Sequence, residues 1–183
     1  DGGPHFWIDD MQMASHVRCL QGERVPEVAL ACGHSTVSYA GYDYETVLYA
    51  DGSCWFQENL RTETYANGDA IEGDLDEAAW LETTAGAQAV YEGDSLNLET
   101  FGRLYNHFAI RDERGVCPTG WHVSSNADWD SLIAFAGGTT MLGHMLKSYD
   151  DWAGGGTQTS FEGLPAGFRG GLEGWGYAGI NNM

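Results

Sequence analysis

Basic residues are scarce in this 183-residue chain: 8 lysines and arginines face 27 aspartates and glutamates, for a formal net charge of −19. Such a charge repels a phosphate backbone, which argues against nucleic acid as a partner. An anionic lipid surface is disfavoured for the same reason. Apolar residues never run on for the roughly 20 positions that a helix needs to cross a bilayer, so no membrane insertion is expected. Cys-x-x-Cys pairs are missing, which leaves zinc fingers and thioredoxin-type redox motifs unsupported. No Asn-x-Ser/Thr sequon occurs. No secretory leader opens the chain, and Asp1 reads as a processed or internal start. Prolines number 4, against 26 glycines and 13% aromatic residues. That mixture describes a compact, turn-rich fold and not a disordered tail. The length suits one domain with a core of its own, since a domain of roughly 150 residues buries about 68–70% of its unfolded surface.

Signatures of chemistry are equally thin. His5, His16, His34, His107, His122 and His144 are scattered singly, without a second histidine or a carboxylate at ligand spacing on one element. His122, between Trp121 and Val123, reads as a half-buried strand residue. No Gly-x-Ser-x-Gly elbow is present, and Gly167-Phe168-Arg169-Gly170-Gly171 lacks the strand–helix context of a phosphate loop. Carboxylates and amides gather at Asp69 to Glu77 and at Glu92-Gly93-Asp94-Ser95-Leu96-Asn97. Oxygen-rich, glycine-bent loops suit calcium, but neither cluster has EF-hand spacing. The expectation is no cofactor, with calcium as the alternative. Cys19, Cys32, Cys54 and Cys117 make an even count, which favours two disulfides in an extracellular protein and leaves three connectivities open.

Along the chain, Phe6-Trp7-Ile8 and Ser15-His16-Val17-Arg18-Cys19-Leu20 are extended candidates, and Gln21 to Ala31 reads as a linker. Val37–Tyr39, Tyr44–Tyr49 and Cys54–Phe56 form an antiparallel meander, broken at Gly41-Tyr42-Asp43 and Asp51-Gly52-Ser53. Asp74, three residues before Glu77, predicts a short helix through Trp80. Phe101, Leu104, Tyr105 and Phe108 recur at helical spacing and predict a second helix over residues 100–110. Val116 to Val123 is an apolar strand broken by a Pro-Thr-Gly turn. Ser125 and Asp128 then stand at capping-box spacing, and Trp129, Leu132, Ile133 and Ala136 give a third helix one buried face before a Gly137-Gly138 stop. Met141 to Lys147 is a short fourth. Beyond Asp150, glycines alternate with aromatics in tight loops.

The stretches Gly41-Tyr42-Asp43-Tyr44-Glu45-Thr46-Val47 and Trp55-Phe56-Gln57-Glu58-Asn59-Leu60-Arg61-Thr62 resemble the Fibrobacter succinogenes major paralogous domain, a module found in many copies in secreted bacterial proteins. Tyr65 to Ile71, Phe101 to Ala109, Cys117 to Trp129 and Gly163 to Arg169 match it further, in the right order. The strand-then-helix stretch is also similar to formylglycine-generating enzymes and C-type-lectin-like folds. The resemblance implies an α+β, C-type-lectin-like fold: small twisted antiparallel sheets, two to four short helices and long glycine-rich loops. It does not carry the enzyme's activity, because the cysteines here are better explained as bridges than as a reactive pair.

Family modules end in a strand resembling Ser-Val-Arg-Cys, preceded by an aromatic strand. Here His16 to Leu20 looks like that last strand and Phe6 to Asp10 like the one before it, both placed at the start. The chain therefore divides into residues 1–31, the terminal strands of a preceding or permuted module plus linker, and residues 32–183, a module lacking its last strands. The missing strands are supplied either within one chain, in permuted order, or between neighbours. The resemblance also implies that Cys19 pairs with Cys117. Cys32 and Cys54 bracket the meander and suit a second bridge. The main alternative, Cys19 with Cys32, closes a short loop worth about 3 kcal/mol in the chain-entropy picture.

The expected function is a non-catalytic, extracellular structural or adhesive module of the cell surface. Neighbouring copies would join into a filament or stalk by strand completion through Phe6, Trp7, Ile8, Val17, Arg18 and Leu20. The alternative is a lectin-like domain binding a cell-surface glycan, with Trp152, Trp175 and Tyr177 stacking on sugar rings.

Overall fold

A computed structural model describes residues 14–22, 32–49, 51–151, 161–170 and 174–178. The described strands run β1 (Ala14–His16), β2 (Cys19–Gln21), β3 (Thr36–Tyr39), β4 (Tyr42–Leu48), β5 (Cys54–Phe56), β6 (Gln88–Val90), β7 (Arg103–Asn106), β8 (Trp121–Val123), β9 (Ala166–Arg169) and β10 (Trp175–Ala178). Among the described residues five short α-helices join them: α1 (Glu77–Glu82), α2 (Leu96–Phe101), α3 (His107–Arg111), α4 (Asn126–Ala136) and α5 (Thr139–Leu146). The strands make two five-stranded sheets, ordered β10-β9-β1-β7-β6 and β3-β4-β5-β2-β8. Every strand pair is antiparallel. The architecture is α+β.

Local chemistry explains most boundaries. Ala40 and Gly41 both take positive φ, 51° and 83°, so a two-residue turn of the hairpin kind joins β3 to β4 with Tyr39 opposite Tyr42. Ser125 and Asp128 close the capping box of α4, and Gly137 ends it in the left-handed conformation. Leu132 of that helix is buried, with Trp129, Ile133 and Ala136 packed beside it, as the spacing predicts.

Two expectations change. Asp74 does not open α1: it stands at φ 57°, and Asp76 two residues on accepts the Ala79 amide at 2.8 Å as the cap. Residues 100–110 are not one helix. Gly102, at φ 71°, stops α2, and Asn106 caps α3 by accepting the Ala109 amide at 2.9 Å. Between them Arg103, Leu104, Tyr105 and Asn106 are all buried in β7, which lies inside its sheet with a strand on either side. A strand covered on both faces shows no alternation, so the apolar spacing there mimics a helix.

Three buried clusters make the core. The first gathers Val17, Cys19, Tyr44, Phe56, Leu60, Tyr65, Ile71, Tyr105, Ala109, Val116 and Cys117. The second, under α4 and α5, holds Leu20, Val47, Tyr49, Trp55, Leu132, Leu142 and Phe161. The third holds Ala14, Trp80, Ala87, Ala89, Tyr91 and Leu104.

A methyl group on Gly102 would lie 2.8 Å from Asn59 Cβ and 2.9 Å from the Leu60 carbonyl oxygen, on a backbone conformation that side chains resist. Gly102→Ala is expected to lower stability by about 2–3 kcal/mol in urea unfolding. An unchanged midpoint would mean that the two backbones do not approach as described.

Candidate functional site

Residues 14–22 form one extended segment that enters both sheets. β1 pairs with β7, Ala14 opposite Asn106 and His16 opposite Leu104, and meets β9 on its other edge through Ala14 and Arg169. β2 pairs with β8, Cys19 opposite Val123, and with β5, Leu20 opposite Trp55. At the crossover the Leu60 amide donates to the Val17 carbonyl at 2.7 Å, and beyond β2 the Gly22 amide donates to the Gly120 carbonyl at 2.8 Å. Side chains follow the same logic. Ala14 enters the third cluster, Val17 and Cys19 the first, and Leu20 the second. The strands β5 and β7 each reach two clusters; this segment reaches all three. Burying a Val or Leu side chain stabilises by about 1.5–3 kcal/mol, so the seat of the segment is strong for its length.

Arg18 turns the other way and fastens the segment to loops. Its Nε donates to Asn59 Oδ1 at 2.9 Å, one terminal nitrogen donates to the Phe161 carbonyl, and the other to the Glu162 carbonyl at 3.2 Å. The guanidinium lies 4.1 Å from the centre of the Phe161 ring. Burial pulls its pKa down to about 10, so it remains a cation at neutral pH. These partners lie 41 to 144 residues away, and no local pattern pointed to them.

His16 is half-buried as a residue. One ring nitrogen, Nε2, is 3.0 Å from the Ala166 carbonyl. Nδ1 is buried near the Arg103 backbone and closes no hydrogen bond. Burial lowers the pKa to about 4; the backbone contacts oppose this and the Arg18 charge adds to it.

Both disulfides bear on this seam. Cys19 is bonded to Cys117, with Cα atoms 5.8 Å apart, and Cys32 to Cys54, with Cα atoms 5.9 Å apart. The alternative bridge from Cys19 to Cys32 is not formed, and no cysteine is free.

The family model for the Fibrobacter succinogenes major domain matches residues 49–182. The chain belongs to that family. Neither the curated proteins nor the solved structures gave a match. In this Fibrobacter major domain the matched stretch holds β5 to β10, whereas β1 to β4 lie upstream of it, and of these β1 and β2 take interior places in the two sheets. Each disulfide joins a cysteine upstream of the matched stretch to one within it.

Of the other residues singled out from sequence, Val17, Arg18 and Leu20 come together in the segment. Phe6, Trp7, Ile8 and Trp152 lie outside the described residues, as does the side chain of Tyr177. Trp175 is half-buried, 5.5 Å from the Tyr91 ring and 4.8 Å from the Arg169 guanidinium. His122 is exposed, not half-buried, and sits 3.2 Å from Asp128 Oδ2. Among the described residues, no group of three or more His, Cys, Asp or Glu is placed to hold a metal ion. In the second acidic cluster, Asp94 Oδ1 accepts the Leu96 amide at 2.9 Å, which gives that carboxylate a local structural role.

Arg18→Ala leaves the Asn59 side chain and two carbonyls without their donor, and is expected to lower stability by about 2–4 kcal/mol in urea unfolding; Arg18→Lys recovers part of that. A mutant as stable as the parent would place Arg18 outside the seam. His16 is neutral when folded but protonates in the unfolded chain below its ordinary value of 6.5, so acid favours unfolding. Stability from this group is complete above pH 6.5 and is lost between pH 6.5 and about 4, a change of about 1–3 kcal/mol. Melting temperatures measured across that window should drop less steeply in His16→Gln than in the parent; parallel curves would rule the group out.

Proposed function

We propose that this Fibrobacter major domain is a non-catalytic module of the cell exterior that joins to neighbouring copies by strand completion, building a filament or stalk. One observation supports the reading above the rest: the segment, which is interior in both sheets, lies upstream of the family's matched stretch. Taken without residues 14–22, the described chain from Cys32 onward is a receiver with a gap in each sheet, and the segment is its filler. In the single chain the segment fills the gap in cis. Its hydrogen bonds and core contacts depend on the sequence of the segment and not on the route taken by residues 23–31, so the segment of a second copy fits the same seat. Handing the segment on to the next copy gives a head-to-tail contact, which extends without limit unless its rotation closes a ring.

Two disulfides suit an oxidising compartment. A lectin-like fold holds its first and last strands side by side, and we place the domain in that architecture by the same reading. Glycan binding ranks second, because Trp175, the one described side chain of the three aromatics, is engaged by Arg169 and Tyr91.

Protein unfolded, reduced and refolded at rising concentration should form assemblies that lengthen with concentration, seen by light scattering and electron microscopy. A synthetic peptide of residues 14–22 in excess should cap growth, since it fills a receiver and offers none. Particles of 19.9 kDa at every concentration, with or without peptide, would defeat the proposal.

A further inference from the structure

The two disulfides differ in kind. Cys32 and Cys54 both belong to the receiving body, which begins at the turn before β3, and their bridge spans 22 residues. Cys19 belongs to the inserted segment and Cys117 to the receiver, 98 residues apart. Both sulfurs sit inside the first core cluster, Cys19 with none of its surface exposed and Cys117 with 5%. Cys19 is held beside β8 by the Cys19–Val123 pairing, so whichever segment occupies the seat brings its own Cys19 against Cys117.

We infer that, in the assembled state, Cys19 of one copy is covalently bonded to Cys117 of the next, while Cys32–Cys54 stays within each copy. The inference rests on the strand-completion reading. Each joint is then a buried disulfide, and the assembly is a covalent chain of copies. The bond forms from two thiols: Cys19 and Cys117 each give up one proton and one electron. A small-molecule disulfide such as oxidised glutathione takes both protons and both electrons and leaves as two thiols. Because the seat shields the new bond from solvent, a dissolved thiol reaches it only when the segment unpairs from its seat while still tethered by the bond.

The test uses the unaltered chain. Equal amounts of nitrogen-15-labelled and unlabelled protein are unfolded, reduced, mixed and refolded together with a glutathione redox buffer at high concentration, then digested without reduction. Mass spectrometry reads the two disulfide-linked peptide pairs. The expected result is that the Cys19–Cys117 pair carries one labelled and one unlabelled half at the statistical share, whereas the Cys32–Cys54 pair is uniformly labelled or uniformly unlabelled. A Cys19–Cys117 pair with no mixed label overturns the inference. A companion sample of Cys19→Ser/Cys117→Ser separates the two claims. If it still assembles while the parent's bridge is unmixed, joining occurs without the covalent link. If neither sample assembles and no label mixes, the strand-completion reading falls with it.

Discussion

The fold depends on one short segment lying inside two sheets at once. Remove residues 14–22 and four strand edges open: those of β9 and β7 in one sheet, and of β5 and β8 in the other. Each edge carries backbone amides and carbonyls that need partners when buried. All three core clusters would lose a member in the same step. The change of sheet happens over Val17 and Arg18, where Val17 points into the first cluster and Arg18 reaches to Asn59, Phe161 and Glu162. The two residues thus split the work at the crossover, one apolar and inward, one cationic and directed at loop carbonyls.

Arginine plays this part repeatedly. Arg103, almost fully buried, donates to the Arg61 carbonyl at 3.0 Å, to Gln88 Oε1 at 2.7 Å and to Glu63. Arg169 donates to the Leu75 carbonyl at 2.9 Å and lies over the rings of Trp80 and Trp175. Arg61 lies over Tyr42 and Tyr44, and Arg114 over Tyr65 while it pairs with Asp69 and Asp112. Four of the chain's eight basic side chains, Arg18, Arg61, Arg103 and Arg169, therefore act as fasteners that satisfy carbonyls and cover rings, as the planar, permanently charged guanidinium can, while Arg114 covers its ring from the surface. The acidic residues stay largely outside. With 27 acidic residues against 8 basic ones, the net charge is negative wherever the cations lie.

Much of this was legible in the sequence, and the reasons for success and failure are particular. The meander of β3 to β5 has alternation and turn residues, and α4 has a capping box at one end and a left-handed glycine at the other; local rules suffice for both. The extended character of residues 15–20 is legible from their residues, whereas the Cys19–Cys117 bridge rests on family likeness, since no spacing rule links positions 98 apart. The failures lie where tertiary burial overrides pattern. Residues 103–106 have a helix-like spacing that their sheet does not obey, and Asp74 has a capping residue's identity on a backbone that cannot cap. The contacts of Arg18 were unreadable because all three partners belong to distant loops. That segment 14–22 is interior in both sheets could not be derived from its composition; it follows from topology.

Chain length sets how copies could share the segment. From Gly22 to Cys32 there are ten peptide steps, so the connection reaches at most roughly 33–36 Å. A compact chain of this length has a radius of gyration of about 16 Å and a diameter somewhat larger than that reach. A segment delivered to a neighbour therefore requires the two bodies to touch. Contact between bodies of like charge is opposed over about 8 Å at physiological ionic strength, and long-range attraction cannot be what gathers the copies. The stabilising terms must act at contact distance: backbone pairing along β1 and β2, burial of Ala14, Val17 and Leu20, and the sulfur bond at Cys19. All of them are made inside the receiver, where the surface charge has least influence. An acidic surface and the proposed strand completion are then compatible: the first would keep unpaired copies apart and the second would hold those that exchange.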